Sequence, residues 1–353
     1  MQRNNNDSRM AFYGKVGLIL HAFILTLLIM YLGKVLFIPL FFALLIAILL
    51  YPLSRFFERW LRKAFAAIIS VLLFITLLAL VVYFFTRELI SFLKDLPKIQ
   101  ANFNQLIQNL QEWVAFKFNV DTSVQSDYIR KSVGGLTSNM ISSVGNTFIS
   151  IIELIVLFAF FLIFTYFILD HRNLLKRFVL SFFDHEHKMK VNQVINSTRT
   201  MINHYVLGLL TEMAILFTLI LLILIIMGVK YALLIAVIAA IFNIIPYLGI
   251  YIAATFAMLI TLTSATPNLA IEVGISFIIV HFVDANILMP HIVGGRVRIN
   301  PLITIVAVIT GKLIWGIPGM FLFIPLTAII RIISENVPEL KPWSILIGEE
   351  KST

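Results

Sequence analysis

The chain predicts an all-α polytopic membrane protein with about six full spans and two Gly/Pro-broken helical hairpins. Three observations carry this. First, 60% of its 353 residues are hydrophobic and only 13% are charged. With a mean hydropathy of +0.98, that is more apolar surface than a soluble fold of this size can bury. Second, the apolar residues fall in seven or eight long segments, and a run of ~20 such residues is what crosses ~30 Å of hydrocarbon. Third, two runs are interrupted: Tyr231 to Thr263 at Pro246-Tyr247-Leu248-Gly249, and Pro301 to Ile333 at Trp315-Gly316-Ile317-Pro318-Gly319. Each is too long for one span and too short for two. Broken helices are tolerated in a bilayer only where protein or a water-filled cavity covers the freed backbone, and a pair of them points to a transporter's binding site.

The unbroken spans run in order from about Val16 to Leu32, Val35 to Leu53, Ala64 to Phe85, Phe148 to Leu169 and Tyr205 to Met227. A further span, Leu269 to Met289, lies between the two broken runs. The N-terminal stretch Met1 to Met10 is polar, and no small-residue cleavage pattern follows the first run, so it reads as an uncleaved span. The net charge of +9 belongs to topology-setting loops rather than to a nucleic-acid surface. The absence of cysteine excludes disulfides and thiolate metal sites.

Lysine and arginine set the orientation. One side holds Arg3, Arg9 and Lys15, then Arg55, Arg59, Arg62 and Lys63, then six in the loop from His171 to Asn203, then Arg296 and Arg298, and three from Arg331 onward. The short loops of the other side hold Lys34 and Lys230. By the positive-inside rule both termini are cytoplasmic. The count works only if each broken run returns to its starting side. Tyr231 to Pro246 is 16 residues, ~24 Å as a helix and short of a crossing, so both runs read as re-entrant hairpins. Tyr205–Thr263 and Leu269–Ile333 then form an inverted repeat. The competing reading is two long tilted helices kinked at proline. Small residues at Ala232, Ala236, Ala240 and at Gly249, Ala253, Ala257 would let the first hairpin's arms approach closely.

This organises the chain as an N-terminal three-span scaffold (1–85), an extracytoplasmic segment (86–147), a fourth span with a basic cytoplasmic loop (148–204), a transport core holding both hairpins (205–333) and a cytoplasmic tail (334–353). Within the extracytoplasmic segment, Leu89, Leu93, Leu96, Phe103, Ile107, Leu110 and Val114 mark an amphipathic helix kinked at Pro97. It lies on the outer leaflet, packs on its own protein or pairs with another subunit. Ser132 to Asn146 reads as a flexible connection.

Four carboxylates fall in the predicted spans: Glu153, Glu212, Glu272 and Asp284. Ionisable groups there are costly and point to function by default. Glu272 is near a span end and reads as interfacial, whereas Glu153 is about one turn in. Glu212 is two turns into its span, near Gly208 and His204. Asp284 is deep in its span with His281 one turn earlier, a pair able to relay a proton or hold a cation, or else a neutral polar pair joining helices. Asn286 is at similar depth on another helix face. Asn243, with Pro246 and Gly249 at the break, offers a ligand for substrate or ion. Pro246, Tyr247 and Gly249, and Gly316, Pro318 and Gly319, form the two hairpin tips. Lys312 either balances a buried carboxylate or extends to the interface, and His21 reads as structural. Asp184-His185-Glu186-His187 matches no metal-ligand spacing and reads as solvated loop. No GxxxxGK[ST], HExxH or GxSxG occurs, which leaves ATP-driven pumping, proteolysis and ester hydrolysis without support. No cofactor is expected.

The C-terminal half resembles the autoinducer-2 exporter family of bacterial permeases. The residues are Asn243-Ile244-Ile245-Pro246-Tyr247-Leu248-Gly249, then Asp284-Ala285-Asn286-Ile287-Leu288-Met289-Pro290, then Gly294, Pro301-Leu302, Gly311, Gly316, Gly319-Met320 and Ile324-Pro325-Leu326. Pro39, Ala43, Ala47 and Pro52 extend the resemblance to the N-terminal half. It implies a bacterial inner-membrane secondary transporter, assembled as a homo-oligomer, with a mobile part moving against a scaffold. Members are associated with autoinducer-2 export, others with sodium/proton antiport. The family usually has Glu where this chain has Asp284, frequently Gln at His281, and often Gln where Leu209 follows Gly208.

Three functions compete on this reading. The first is export of a small polar metabolite or signal driven by a proton or sodium gradient. The second is cation/proton antiport without an organic substrate. The third is a non-transporting scaffold that uses the amphipathic helix as its interaction surface.

Overall fold

The computed structural model describes residues 3–118, 154–244, 249–289, 291–292 and 299–349. These residues are almost wholly helical: α1 (Arg3–Leu32), α2 (Lys34–Phe57), α3 (Lys63–Phe118), α4 (Leu154–Ser181), α5 (His185–Ile226), α6 (Ala232–Phe242), α7 (Gly249–Ser264), α8 (Pro267–Val283), α9 (Pro301–Trp315), α10 (Ile317–Asn336) and α11 (Lys341–Ile347). Among the described residues, α2, α3, α4, α5, α10 and α8 with its continuation to Leu288 are long and apolar enough to cross a membrane. Their outward faces carry large apolar side chains such as Leu77, Ile226 and Phe282, each about two-thirds exposed or more. Water would not tolerate such continuous bands; lipid does.

Four helices exceed their predicted bounds. The third span and the outer amphipathic helix are one 56-residue helix, α3, ~84 Å long at 1.5 Å per residue. Pro97 lies inside it without ending it. The expected basic loop from His171 to Asn203 is mostly helix, because α4 continues to Ser181 and α5 starts at His185. Lys, Arg, Met and Leu in that stretch are good helix formers, and helix continues past a membrane surface wherever nothing breaks it. Finally, α10 has 20 residues, enough for ~30 Å, so the second broken run has one arm of full crossing length. The proposed flexible connection Ser132 to Asn146 lies outside the described residues.

The chain forms two compact units: Pro52–Val156 with Asn203–Val297, and Met1–Tyr51 with Leu157–Ile202 and Arg298–Thr353. The α6–α7 hairpin belongs to the former and the α9–α10 hairpin to the latter.

In the first of these, α5 ends in a Schellman turn. Gly228 is left-handed (φ 68°), Gly228 N donates to Ile225 O at 3.0 Å and Val229 N to Leu224 O at 2.9 Å. Val229 and Leu224 are both buried, the apolar contact that accompanies this cap. The chain turns into α6, breaks after Phe242 and folds back as α7. Both small-residue ladders are buried, Ala232, Ala236 and Ala240 on one arm and Gly249, Ala253 and Ala257 on the other. A methyl group at Gly249 would sit 1.7 Å from the Phe242 carbonyl oxygen, so the arms meet backbone to backbone at the tip. Thr266 caps α8 by accepting from Leu269 N at 3.3 Å, with Pro267 at the first helical position. Leu216, Ile220, Leu224, Leu234, Ile235, Val273 and Phe277 fill the core between α5, α6, α7 and α8.

Phe85, Leu89, Phe92 and Ile99 of α3 pack on this core. The outer helix therefore covers its own protein along a stripe offset from the predicted one; Leu93, Leu96 and Leu110 are exposed. Asp95 on that stripe takes Lys230 Nζ at 2.6 Å and Tyr231 Oη at 2.5 Å on one oxygen. These donors hold its carboxyl below the usual carboxylate range.

In the other unit, Asn300 caps α9 by accepting from Leu302 N at 2.9 Å, and Gly316 (φ 67°) turns α9 into α10. Methyl groups at Gly311 and Gly319 would fall 2.2 and 2.0 Å from each other's carbonyl oxygens, again a backbone-to-backbone contact. Trp315 Nε1 donates to Met30 O at 2.8 Å and ties α9 to α1. The C-terminal tail folds back: Asn300 N donates to Ile347 O at 2.9 Å. Tyr51 of α2 lies under Arg199, 3.5 Å from ring centroid, and Arg172, 5.0 Å, contacts that draw the basic ends of α4 and α5 together.

Two glycine substitutions should separate space from backbone conformation. Gly228→Ala meets nothing within 4 Å and should cost only ~1 kcal/mol for its left-handed backbone. Gly249→Ala should exceed the ~3 kcal/mol of ordinary overpacking. Thermal unfolding in detergent measures both, and equal Tm values would contradict the tip geometry. A depressed carboxyl stabilises fully above its ordinary value, so the Asp95 contribution should be constant across neutral pH and disappear only as pH falls through the lowered value. Comparing the pH dependence of Tm for the parent and Asp95→Asn checks this.

Candidate functional site

Three helices bring polar groups to one depth in the unit that holds the first hairpin. Glu212 lies 14 residues before the end of α5, ~21 Å along the helix. From the same end, the 11-residue α6 descends ~16 Å to Asn243 at its C-cap. The 17-residue α8 descends ~25 Å to Asp284. The antiparallel connections thus carry all three well inside the helix ends, at least the ~15 Å of half a bilayer.

The side chains meet. Asn243 Nδ2 donates to Glu212 Oε1 at 3.2 Å. Glu212 and Asp284 lie within electrostatic range of each other. Both carboxyls are 5% exposed. Asp284 Oδ1 is buried and has no hydrogen-bond partner among the described residues, a deficit of ~1–3 kcal/mol for such a group. Asp284 also opens a π-helical turn, Asp284–Leu288, a widening that recurs at functional sites.

His281 does not bond Asp284. Its Nε2 faces Tyr251 Oη at 3.4 Å, with the rings 5.2 Å apart. Its Nδ1 is buried without a partner among the described residues, and it remains within electrostatic range of Asp284. Three residues of helix put both groups on one side, but the imidazole swings toward α7. Two tyrosines escaped sequence reasoning. Tyr205 is buried, within electrostatic range of Glu212 and seven residues before it; two-turn spacing was the signal. Tyr251 carried none, since its approach to α8 depends on how the hairpin packs.

The other candidates separate from this cluster. Asn286 is exposed and donates to Phe282 O of its own helix at 2.8 Å. Gly249 serves the hairpin closure. Glu272 is exposed, as are His204, His21 and Lys312, so Lys312 balances no buried carboxylate among its neighbours. Gly316, Pro318 and Gly319 form the turn of the second hairpin in the other unit. Glu153, Pro246 and Tyr247 lie outside the described residues. Asp184 to His187 start α5, and no cluster able to hold a metal occurs among the described residues.

Removing the amide that joins the pair should be felt directly. Asn243→Ala leaves Glu212 without its donor and should cost ~1–3 kcal/mol, read as a lower Tm in detergent; an unchanged Tm would contradict the contact.

Comparison with known proteins matches this architecture to a family. Residues 20–339 match the model described as AI-2E family transporter. The chain is 25% identical to "Putative transport protein YueF" of Bacillus subtilis over 316 residues, covering 85% of each chain. It is 26% identical to "Putative transport protein YhhT" of Escherichia coli over 316 residues, covering 88% of this chain and 87% of that one. A family match that takes in nearly every described helix, including all three that carry Glu212, Asn243 and Asp284, makes this multi-pass membrane protein a member of the AI-2E transporter family.

Proposed function

We propose that the protein is a secondary-active permease of the bacterial inner membrane, exporting a small polar metabolite or signalling molecule of autoinducer-2 type. Its coupling is to a proton or sodium gradient. One observation carries the reading: two buried carboxyls stand within electrostatic range of each other at a helix break, with Asn243 donating to Glu212 and one oxygen of Asp284 without a partner among the described residues. In hydrocarbon such a group persists where ions or polar cargo must pass.

Asp284 carries the coupling ion or binds substrate, and Glu212 shares its charge. A proton held between the carboxyls neutralises the pair and lets Asn243 at the end of α6 rest against it. Loss of that proton leaves a charge that takes a cation or the hydroxyl groups of a cargo molecule. A site that alternates in this way shifts the populations of two conformations only through its different affinity for its occupants in each. His281 and Tyr251 lead from Asp284 toward an exposed hydroxyl and form the proton's route. The polar ligands all belong to binding chemistry, and the chain acts as a carrier, not as a catalyst of covalent change. Both termini lie in the cytoplasm and the working form is a homo-oligomer.

The Asp284 oxygen that has no partner among the described residues also favours a second reading, sodium/proton antiport with no organic cargo. Proteoliposomes under imposed pH and sodium gradients, with internal pH followed by a dye, distinguish the two. Sodium-driven pH change without metabolite supports antiport, whereas flux that appears only with cargo supports export. On either reading Asp284→Asn should reduce flux to background and Asp284→Glu should retain much of it. Undiminished flux in a well-inserted Asn variant would sink both. His281→Phe should slow proton-coupled flux while leaving Tm nearly unchanged; unchanged flux removes the relay.

A further inference from the structure

The outer half of α3 touches the α6–α7 hairpin at both of its roots. At the first root, Tyr231 precedes α6 with φ 63° and no side-chain cap. It is the one non-glycine residue with positive φ among the described residues, and aromatic side chains seldom adopt that conformation. What holds it is visible: its hydroxyl donates to Asp95 at 2.5 Å, Lys230 Nζ pairs with the same oxygen at 2.6 Å, and Phe92 packs edge-on against its ring at 5.4 Å. At the second root, Asn102 Nδ2 donates to Thr263 O at 2.7 Å, and Phe92 also meets Phe256 at a centroid distance of 6.1 Å. One carboxylate thus serves two donors on the turn that launches the arm carrying Asn243. The ion pair is substantially exposed, with the Lys230 side chain 55% accessible. A strained backbone held by an exposed polar contact is easily released, and strain of this kind persists only while its surroundings impose it.

We propose that this contact is a releasable latch in which Asp95 is the positioning residue. By holding Tyr231 in its left-handed conformation, Asp95 fixes the arm that delivers Asn243 to Glu212 and Asp284; letting go of Tyr231 and Lys230 frees the hairpin to move. The release step rests on the transport reading given above, while the holding step does not.

The test uses the cysteine-free background of the chain. A single reporter, Ile99→Cys, sits on the α3 face packed against the hairpin unit. Its labelling by a water-soluble maleimide is timed in proteoliposomes of the full chain. Labelling should be slow in the reporter protein and several-fold faster when Asp95→Asn or Tyr231→Phe is added. The exchange of charges, Asp95→Lys with Lys230→Asp, should restore part of the slow rate. Imposing a transport-driving gradient should speed labelling in the reporter protein and change little in the Asp95→Asn protein, already released. Equal labelling in all variants overturns the latch. Faster labelling in the variants with no response to the gradient reduces the contact to a fixed brace and overturns release. Cargo and ion flux in the same vesicles are read separately, so a failure of the transport reading shows as absent flux whatever the labelling does. Should Asp95→Asn fail to insert, Tyr231→Phe keeps the lysine–carboxylate pair and answers the same question.

Discussion

The contact between the Phe242 carbonyl and Gly249 is the constraint on which the rest of the hairpin unit depends. An apolar run of more than thirty residues can cross a bilayer once at a steep tilt or fold back on itself. Folding back demands that two helix backbones touch where the chain reverses, and only a residue without a side chain permits that at position 249. Once they touch, the alanines behind them close the arms along their length. The break then lies deep rather than at a surface, and Asn243 is carried to the level of Glu212 and Asp284. The second hairpin solves the same problem with Gly311 and Gly319, which brings α9 and α10 together in the other unit. Two different sets of glycines thus reach one physical solution, close approach without side chains, where lipid offers no hydrophobic drive to pull helices together.

Polarity follows from that geometry. A helix break at depth leaves backbone groups that require cover, and buried carboxyls require partners or protons. Placing the break against Glu212 and Asp284 answers part of each demand with the other: the Asn243 amide donates to the Glu212 carboxyl, which lies within electrostatic range of Asp284. One oxygen of Asp284 and one nitrogen of His281 have no partner among the described residues. In a structural core such a deficit would be replaced by apolar packing at little cost. Its presence beside a π-helical turn, in a family of transporters, is what the proposed binding role rests on.

Around this cluster the protein is organised by long helices whose polar ends run beyond the apolar spans. The α3 helix leaves its span and continues until it braces both hairpin roots, while α4 and α5 extend through what reads in one dimension as a basic loop. The arginines of those extensions gather around Tyr51. The positive charges that set topology are therefore also used to join helix ends.

What the chain alone determined was class and coarse plan. Hydropathy runs, the two Gly/Pro breaks and the distribution of lysine and arginine identify an all-α membrane protein with two folded-back segments, because each of these signals is local and the hydrocarbon thickness is fixed. The candidacy of Glu212, Asp284 and Asn243 was legible for the same reason: charge and amide inside apolar runs are costly wherever they pair. Their pairing was not. His281, three residues from Asp284, was its expected partner, yet the imidazole turns to Tyr251 while Glu212, 72 residues away in sequence, supplies the carboxyl contact. Asn286 was placed on another helix face from the start, but its bond to the Phe282 carbonyl of its own helix was not legible. Helix boundaries at α3, α4 and α5 were likewise hidden, since polar residues mark the end of a membrane span without marking the end of a helix. Side-chain partners across helices, and which face of a helix meets which neighbour, depend on packing among residues far apart in sequence; only the tertiary structure decides them.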